Sequence, residues 1–309
     1  MDRRNFLVAA AATATATAVL SRPGVAVSAQ SETSVATPAA KGPLLKAVKY
    51  SMVGVKGTLA EKFAAVKGAG FVGIDMDARV PDKNEVVEAA KSTGLKVHGV
   101  VDYDHWSQPL SSPSAEVRAK GLAALEESLH DAKLYGGDTV LLVPAMVNKS
   151  ISYEDAYKRS QIEIRKAIPL AKELGIKILF ENVWNNFLLS PVECARYIDE
   201  FDSPLIGSYF DVGNIVNYGW PEHWIRTLGH RIGKIDIKEF SRTKANSQGK
   251  GAGFGVEIGD GDCDWPAVLT ALKDVGFSGW ATAEVGGGGE DRLKEISTRM
   301  DKIFSTWNA

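Results

Sequence analysis

The sequence contains little of what marks several common classes of protein. It has two cysteines, Cys194 and Cys263, so a disulfide framework does not hold the fold together, and we expect two free thiols. Its 36 lysines and arginines are balanced by 38 aspartates and glutamates, and this charge gives no indication of a nucleic-acid partner. Beyond the first twenty residues, no apolar run is long enough to cross a membrane. With 309 residues, 45% of them hydrophobic, the chain is expected to form one large globular domain after an N-terminal leader.

The first 29 residues have the pattern of an export signal. The motif Arg3-Arg4-Asn5-Phe6-Leu7 precedes a weakly apolar run, and Val27-Ser28-Ala29 supplies the small residues of a cleavage site. This pattern resembles a twin-arginine signal, which implies that the protein is exported folded and is periplasmic or secreted. The alternative is an ordinary secretion signal or an uncleaved anchor. Residues 30–44 are rich in Ser, Thr, Ala and Pro and predict a disordered linker, and no stable membrane anchor is expected after cleavage.

Residues 45–309 alternate short β-branched or aromatic runs with longer amphipathic runs, which is typical of βα units around a parallel sheet. Ser114, Ser152 and Asp264 are expected to cap helices, and several helices end in glycine. The eight predicted strands are Val48–Val53, Gly73–Asp77, Lys96–Tyr103, Thr139–Pro144, Lys177–Asn182, Ile206–Val212, Gly233–Phe240 and Gly279–Val285. They predict an α/β fold, the (β/α)8 TIM barrel. A doubly wound open sheet is less favoured, because Gly54-Val55-Lys56-Gly57 matches its glycine-rich turn poorly.

Four predicted strands in the second half of the chain each end in an acidic residue. These residues are Glu181, Asp211, Asp236 and Glu284. Because the carboxyl ends of barrel strands share one rim, we expect the four carboxylates to converge. Like charges repel and raise one another's pKa, so such a group requires a cation. An oxygen-rich site suits one Mn²⁺ or Mg²⁺ ion, with Zn²⁺ or Co²⁺ as less favoured alternatives.

Several motifs in the barrel carry a resemblance to a known family. They are Glu181-Asn182-Val183-Trp184-Asn185-Asn186-Phe187-Leu188-Leu189-Ser190-Pro191, Tyr209-Phe210-Asp211-Val212-Gly213-Asn214, Gly259-Asp260-Gly261-Asp262 and His105-Trp106-Ser107-Gln108-Pro109-Leu110. These motifs resemble the xylose isomerase-like sugar isomerase/epimerase family over essentially the whole barrel. The resemblance implies one metal ion held by a glutamate, an aspartate, a histidine and a second glutamate on strands five to eight. Glu181, Asp211 and Glu284 match three of these positions.

The histidine position departs from the family pattern. The family usually reads His-x-Lys-Asp on strand seven, whereas this chain reads Asp236-Ile237-Lys238-Glu239. Asp236 therefore takes the place of the histidine as a ligand, and its shorter side chain leaves direct and water-mediated contact both open. The all-carboxylate set favours Mn²⁺ or Mg²⁺ over Zn²⁺. Strand alternation puts Lys238 on the same side as Asp236, where its ammonium offsets negative charge.

The resemblance implies proton transfer next to a carbonyl group of a keto sugar or related polyol. The metal would bind the substrate's oxygens and stabilise an enediolate, while Glu181 and Glu284 remove and return the proton as catalytic residues. Arg242 matches a family arginine that hydrogen-bonds the substrate. Phe187 stands where some epimerases of the family carry a further glutamate, so substrate handling is not expected to be identical.

Further contacts to a small-molecule carbohydrate are expected beside the strand ends. The candidate substrate-binding residues are His105, Trp106, Trp184, Asn214, Lys238 and Arg242. For His105, a loop histidine that fixes its own backbone is an equal alternative. A phosphate cradle in Gly286–Gly289 is less favoured than a flexible hinge, so we expect an unphosphorylated keto sugar, oxidised glycoside or inositol derivative.

Two other functions stay open on the sequence. A lyase or dehydratase could use the same site, because an enediolate with a leaving group on the β carbon can eliminate. A non-catalytic exported carbohydrate-binding protein would result if the site decayed when histidine became aspartate. Abasic-site endonucleases share a related fold, but five histidines and a near-neutral charge do not support a multi-metal cluster with a basic DNA-binding face. Homo-oligomers are common in the family, and no interface can be identified from this sequence.

Overall fold

The computed structural model describes residues 42–77, 79–80 and 82–307. The predicted export signal and all but the last three residues of the predicted linker lie outside the described residues. The described part of the chain forms the barrel itself, and its first strand begins at Leu44.

Eight parallel strands close into a barrel in the order of the sequence, β1 to β8, with β1 pairing to both β2 and β8. The strands are β1 Leu44–Lys49, β2 Gly73–Asp77, β3 Lys96–Val101, β4 Thr139–Leu142, β5 Lys177–Glu181, β6 Ile206–Asp211, β7 Ile232–Ile237 and β8 Gly279–Ala283. The predicted (β/α)8 fold is therefore confirmed.

Helices connect successive strands and cover the barrel. They are α1 Leu59–Gly68, α2 Lys83–Thr93, α3 Ala115–Tyr135, α4 Tyr153–Leu174, α5 Pro191–Asp199, α6 Gly213–Val216, α7 Pro221–Leu228, α8 Arg242–Gln248, α9 Trp265–Asp274 and α10 Glu290–Phe304. The Ser114, Ser152 and Asp264 side chains accept hydrogen bonds from the first turns of α3, α4 and α9, as predicted. Gly136 and Gly175 end α3 and α4 in the left-handed conformation that favours glycine. Among the described residues, no helix combines the length and apolar character that a membrane span requires.

The first strand lies four residues earlier than predicted. It ends at Lys49, and Tyr50–Met52 form a short 3₁₀ turn instead of continuing the strand. The N–H group of Gly54 then donates to the carbonyl of Gly288, and the N–H group of Gly288 donates to the carbonyl of Met52. This segment is apolar because Met52 is buried against the loop after β8, not because it is a strand.

The amino-terminal end of the barrel interior is filled by a buried polar group around Lys234. Its ammonium donates to the carbonyl of His98, to Asp138 and to Thr139 at 2.6–2.7 Å. The His98 ring stacks on Trp280 at 4.4 Å between centroids, and Lys234 lies 3.0 Å from its Nδ1. His98 is thus an interior residue of the barrel whose polar atoms have partners. Both cysteines are buried and free.

Candidate metal centre

The structure brings the four predicted acidic residues together at the carboxyl end of the barrel. One carboxylate oxygen from each of Glu181, Asp211, Asp236 and Glu284 lies within 4.8 Å of the others. Asp211 and Asp236 are fully buried, and Glu284 keeps 33% of its side chain exposed. The register explains the convergence, because Asp211 pairs directly with Asp236 across β6 and β7. We refer to these four residues as the acidic cluster.

Two lysine side chains reach into the acidic cluster. Lys238 was expected there, and its Nζ lies 2.9 Å from Oδ2 of Asp211 and 2.8 Å from Oε1 of Glu284. Lys49, at the end of β1, was not expected. Its Nζ lies 3.1 Å from Oδ2 of Asp236 and 3.1 Å from Oδ2 of Asp75, a fully buried residue of β2. Both ammonium groups therefore balance part of the negative charge.

The carboxylates of the acidic cluster have different pKa values, some raised and one lowered. Burial, together with the charge of Glu284, raises the pKa of Glu181 to about 8. Burial also favours the neutral form of Glu284, but Lys238 and Lys49 outweigh this effect and lower its pKa to about 2. For Asp236, burial and the neighbouring carboxylates raise the pKa well above its usual value in spite of Lys49. A divalent cation, in addition to the two ammonium groups, would relieve this repulsion.

The arrangement of oxygens fits a divalent cation. Oδ1 of Asp236 is buried and has no partner among the residues that the structure describes, and Oδ2 of Asp211 and Oδ2 of Asp236 face only the ammonium groups of Lys238 and Lys49. Buried carboxylate oxygens without donors are costly unless a cation neutralises them. A set of four carboxylates is the hard oxygen environment that Mn²⁺ and Mg²⁺ prefer. The acidic cluster could therefore hold one metal ion.

Asn182 and Asn214 hold Asp211 in place. The backbone N–H of Asn214 donates to Oδ1 of Asp211 at 2.8 Å, and Oδ1 of Asn182 accepts from the backbone N–H of Asp211 at 2.9 Å. The side-chain amide of Asn214 also donates to the carbonyl of Asn182. Trp184 donates from Nε1 to the carbonyl of Asn214, and its ring packs against Phe254 at 4.9 Å. Asn214 thus supports a candidate ligand, and Trp184 supports Asn214.

His105 and Trp106 lie in the loop after β3. His105 is buried, and its Nδ1 accepts a 3.4 Å hydrogen bond from the backbone N–H of Val143, just beyond β4. Burial and the charge of Lys49 lower the pKa of His105 to about 3, so the ring is neutral. Trp106 contacts it edge to face and keeps 47% of its surface exposed. His105 therefore accepts a hydrogen bond from the backbone after β4, and Trp106 has an exposed aromatic face beside the rim.

Arg242 is engaged with the loop after β6. Its guanidinium donates to the carbonyls of Val216 and Gly219 at 2.8 and 2.9 Å and lies over the ring of Trp220. Its backbone N–H donates to Asp262. In this structure Arg242 joins the loops after β6 and β7.

Two buried charged residues with contacts in or next to the candidate site were not predicted from the sequence, Lys49 and Glu239. The predicted first strand, Val48–Val53, put Lys49 inside the strand, whereas the observed strand ends at Lys49. Its position at a strand end was the feature that could have identified it. Glu239 is buried and accepts hydrogen bonds from the backbone of Gly259 and Cys263 and from Nε1 of Trp265. It therefore organises the Gly-Asp-Gly-Asp loop that precedes α9.

The glycine run after β8 packs against the loop after β1. Gly288 uses both its N–H and its carbonyl in hydrogen bonds with Met52 and Gly54. A Cβ atom on Gly287 would lie 2.1 Å from the carbonyl oxygen of Met52, so only glycine allows this contact. The glycine run is therefore held by the loop after β1, and the N–H group of Gly288 is not available to bind a phosphate.

Residues 63–303 match the family profile described as "Xylose isomerase-like TIM barrel". The chain is 23% identical over 219 residues to L-ribulose-5-phosphate 3-epimerase UlaE of Escherichia coli O1:K1 / APEC, covering 71% of this chain and 75% of that protein. It is 22% identical over 253 residues to an inosose dehydratase of Bacillus thuringiensis (strain Al Hakam), covering 75% and 83%.

Solved structures share the fold. The structure resembles that of the 3-keto-D-glucoside 4-epimerase YcjR from E. coli with a TM-score of 0.71 and 19% identity, covering 85% of this chain and 99% of that one. It also resembles a D-psicose 3-epimerase determined in the presence of D-fructose, with a TM-score of 0.69, 17% identity and coverage of 86% and 100%.

Proposed function

The chain belongs to the xylose isomerase-like TIM-barrel family, and we propose that it is a divalent-metal-dependent sugar epimerase or isomerase acting on a keto sugar or a related polyol. The observation that carries the proposal is the acidic cluster, in which four carboxylates from four different strands meet within 4.8 Å. The curated relatives include proteins named as sugar epimerases, which supports an activity of the same kind. We propose one Mn²⁺ or Mg²⁺ ion as the cofactor, with Zn²⁺ or Co²⁺ as alternatives.

The chemistry assigned to the cluster is proton transfer next to a carbonyl. When bound, a divalent cation would withdraw charge from that carbonyl and acidify the neighbouring C–H group. Glu181 and Glu284 come from β5 and from the end of β8, and we assign them the removal of the proton and its return. Return to the other face of the same carbon gives an epimer, and return to the adjacent carbon gives an isomer. Trp106 and Trp184 are proposed to contact the sugar ring with their aromatic faces.

An elimination at the same site is the second candidate. It is supported by the similarity to an inosose dehydratase, which is 22% identical over 253 residues, compared with 23% over 219 residues for the epimerase. Removal of the same proton would then be followed by cleavage of the C–O bond at the β carbon, and the leaving oxygen would take up a proton and depart as water or as an alcohol. The two reactions share their first step and differ only in the product.

Deuterium exchange tests the proposal directly. Wild-type protein reconstituted with Mn²⁺ is incubated in D₂O with a panel of keto sugars, keto glycosides and inososes, and the products are followed by NMR. We expect deuterium next to the carbonyl, together with an isomeric product, and a decrease of about 10²–10⁴-fold in Glu284→Gln. Glu154→Gln, which changes an exposed acid on α4, is the matched control. Loss of a substituent would identify the dehydratase, and equal exchange in wild type and Glu284→Gln would refute the assignment.

Metal analysis separates an enzyme from a binding protein. We expect about one divalent ion per chain after reconstitution, since the cluster offers four carboxylates. A protein that binds sugars, takes up no metal and catalyses no exchange would be the non-catalytic binder.

We also propose that the protein acts outside the cytoplasm, because residues 1–29 resemble a twin-arginine signal. Fusing residues 1–44 to a reporter that is active only after folded export tests this. Reporter activity should be lost when Arg3 and Arg4 are both changed to lysine, and a reporter that is inactive even with the wild-type leader would indicate an ordinary secretion signal.

A further inference from the structure

The ammonium of Lys49 is fixed by partners on several sides. It donates to Oδ2 of Asp75 at 3.1 Å, lies 3.1 Å from Oδ2 of Asp236 and sits 4.3 Å from the centre of the Tyr209 ring. The hydroxyl of Tyr209 donates to the same oxygen of Asp75 at 3.0 Å. Only 5% of the Lys49 side chain is exposed. Because Asp75 lies outside the acidic cluster, Lys49 keeps a carboxylate partner of its own whatever the cluster binds.

Lys238 is held differently. Its two carboxylate partners, Asp211 and Glu284, both belong to the acidic cluster, and 17% of its side chain is exposed. A cation that bound these carboxylates would compete directly with Lys238, whose side chain has solvent to move into. Lys49 cannot move in this way, because its departure would leave the buried carboxylate of Asp75 without its ion-pair partner.

The carboxylate of Asp236 contacts the ammonium of Lys49 through one of its two oxygens. Neither of its oxygens accepts a hydrogen bond from the described residues, and Lys49 is its one ion-pair partner among them. With Oδ2 against the ammonium, Oδ1 remains without a partner inside the cluster. A ligating carboxylate is usually held by a second group in this way, and loss of that group weakens metal binding.

We propose that Lys49, anchored by Asp75, is a positioning residue that orients Asp236 so that Oδ1 faces a bound divalent cation. The inference rests on the proposed function, because it assumes that the acidic cluster binds a metal ion. In this proposal Asp236 binds the ion directly, Lys49 orients Asp236, and Asp75 holds Lys49.

The test measures Mn²⁺ binding alone, from the EPR signal of the free ion. The variant Lys49→Met with Asp75→Asn removes both members of a buried ion pair, so the formal charge around the cluster stays the same. We expect its Kd for Mn²⁺ to rise roughly 10–100-fold relative to wild type. In an Asp236→Asn background, the same two substitutions should change Kd by less than about threefold, because the carboxylate they orient is already gone.

The outcomes distinguish this inference from the proposed function. An unchanged Kd in the Lys49→Met, Asp75→Asn variant, or the same change in both backgrounds, would overturn the positioning role and leave the metal site standing. Failure of the wild type to bind Mn²⁺ would overturn both. If the double variant does not fold, Asp75→Asn alone keeps the ammonium but releases its anchor. The lost negative charge weakens Mn²⁺ binding in both backgrounds, so the positioning role predicts that Kd rises at least about threefold more with Asp236 present than without it.

Discussion

Nζ of Lys238 donates a 2.8 Å hydrogen bond to Oε1 of Glu284, across the ends of β7 and β8. This contact gives a carboxylate of the acidic cluster a cation supplied by the chain itself. The same lysine lies 2.9 Å from Oδ2 of Asp211, so it contacts two of the four candidate ligands. Lys238 thus balances charge in the acidic cluster and would compete with a metal ion for two of the proposed ligands.

Replacing Lys238 by methionine should separate these two effects. Without metal, the variant is expected to be about 1–3 kcal/mol less stable, because the buried carboxylate of Asp211 loses its cation. With Mn²⁺, its gain in stability should exceed that of the wild type, since a competing charge has been removed and bound ligand stabilises by mass action. Thermal melts in EDTA and in Mn²⁺ measure both quantities.

A matched control is Lys158→Met, which removes an exposed lysine paired with Glu154 on α4. Exposed pairs of this kind contribute about 0–1 kcal/mol, so both melts should stay close to those of the wild type. An equal metal-induced gain in Lys238→Met and wild type would show that Lys238 does not compete with the ion.

Glu239 supports a second prediction, about the loop before α9. Its carboxylate accepts from Gly259, Cys263 and Trp265, and an amide at this position would turn one acceptor into a donor. We expect Glu239→Gln to cost about 1–3 kcal/mol, because buried N–H groups would lose their acceptor. Urea unfolding measures the loss, and increased exposure of Trp265 should shift the tryptophan emission to the red. Glu257 is a partly exposed acid in the same loop region, and Glu257→Gln is the control. We expect both the loss of stability and the red shift to be smaller in this variant than in Glu239→Gln.

Local sequence patterns were sufficient for the elements other than the first strand and for the acidic cluster. N-caps such as Ser114 and helix-ending glycines such as Gly175 act within one turn, so they can be identified without knowledge of the fold. Acids at the ends of successive parallel strands must share a rim once the barrel closes, which is why Glu181 and Glu284 could be brought together from positions about 100 residues apart in the sequence.

The missed features depend on partners that are distant in the sequence. Lys49 at the end of β1 pairs with Asp236 of β7, and the sequence around Lys49 does not indicate which residue it contacts. Glu239 satisfies groups that lie 20–26 residues later, through a loop whose path is set by packing. Arg242 could be assigned to the substrate on family resemblance, but its contacts with the loop after β6 required coordinates.

The two cysteines give a third prediction. Cys194 lies in α5 and Cys263 in the loop before α9, and both are buried. Burial raises the pKa of both thiols, which further suppresses the reactive thiolate. A thiol reagent such as DTNB should therefore react slowly with the native protein and should titrate two thiols per chain in denaturant without reductant. A value of zero in denaturant would indicate a disulfide instead.

A final prediction concerns the stability of the barrel at acid pH. Burial, and then the charges of Lys234 and Lys49, hold the pKa of His98 well below its usual value, so the folded protein keeps this ring neutral. The unfolded chain takes up a proton at about pH 6.5, and the contribution of His98 to stability is therefore complete above that pH and lost as the pH falls below it. Compared with His98→Gln, the free energy of unfolding of the wild type should fall more steeply below pH 6.5, by up to about 1.4 kcal/mol per pH unit. Urea titrations at pH 7, 6 and 5 measure the two slopes, and parallel curves would show that His98 becomes protonated without unfolding the barrel.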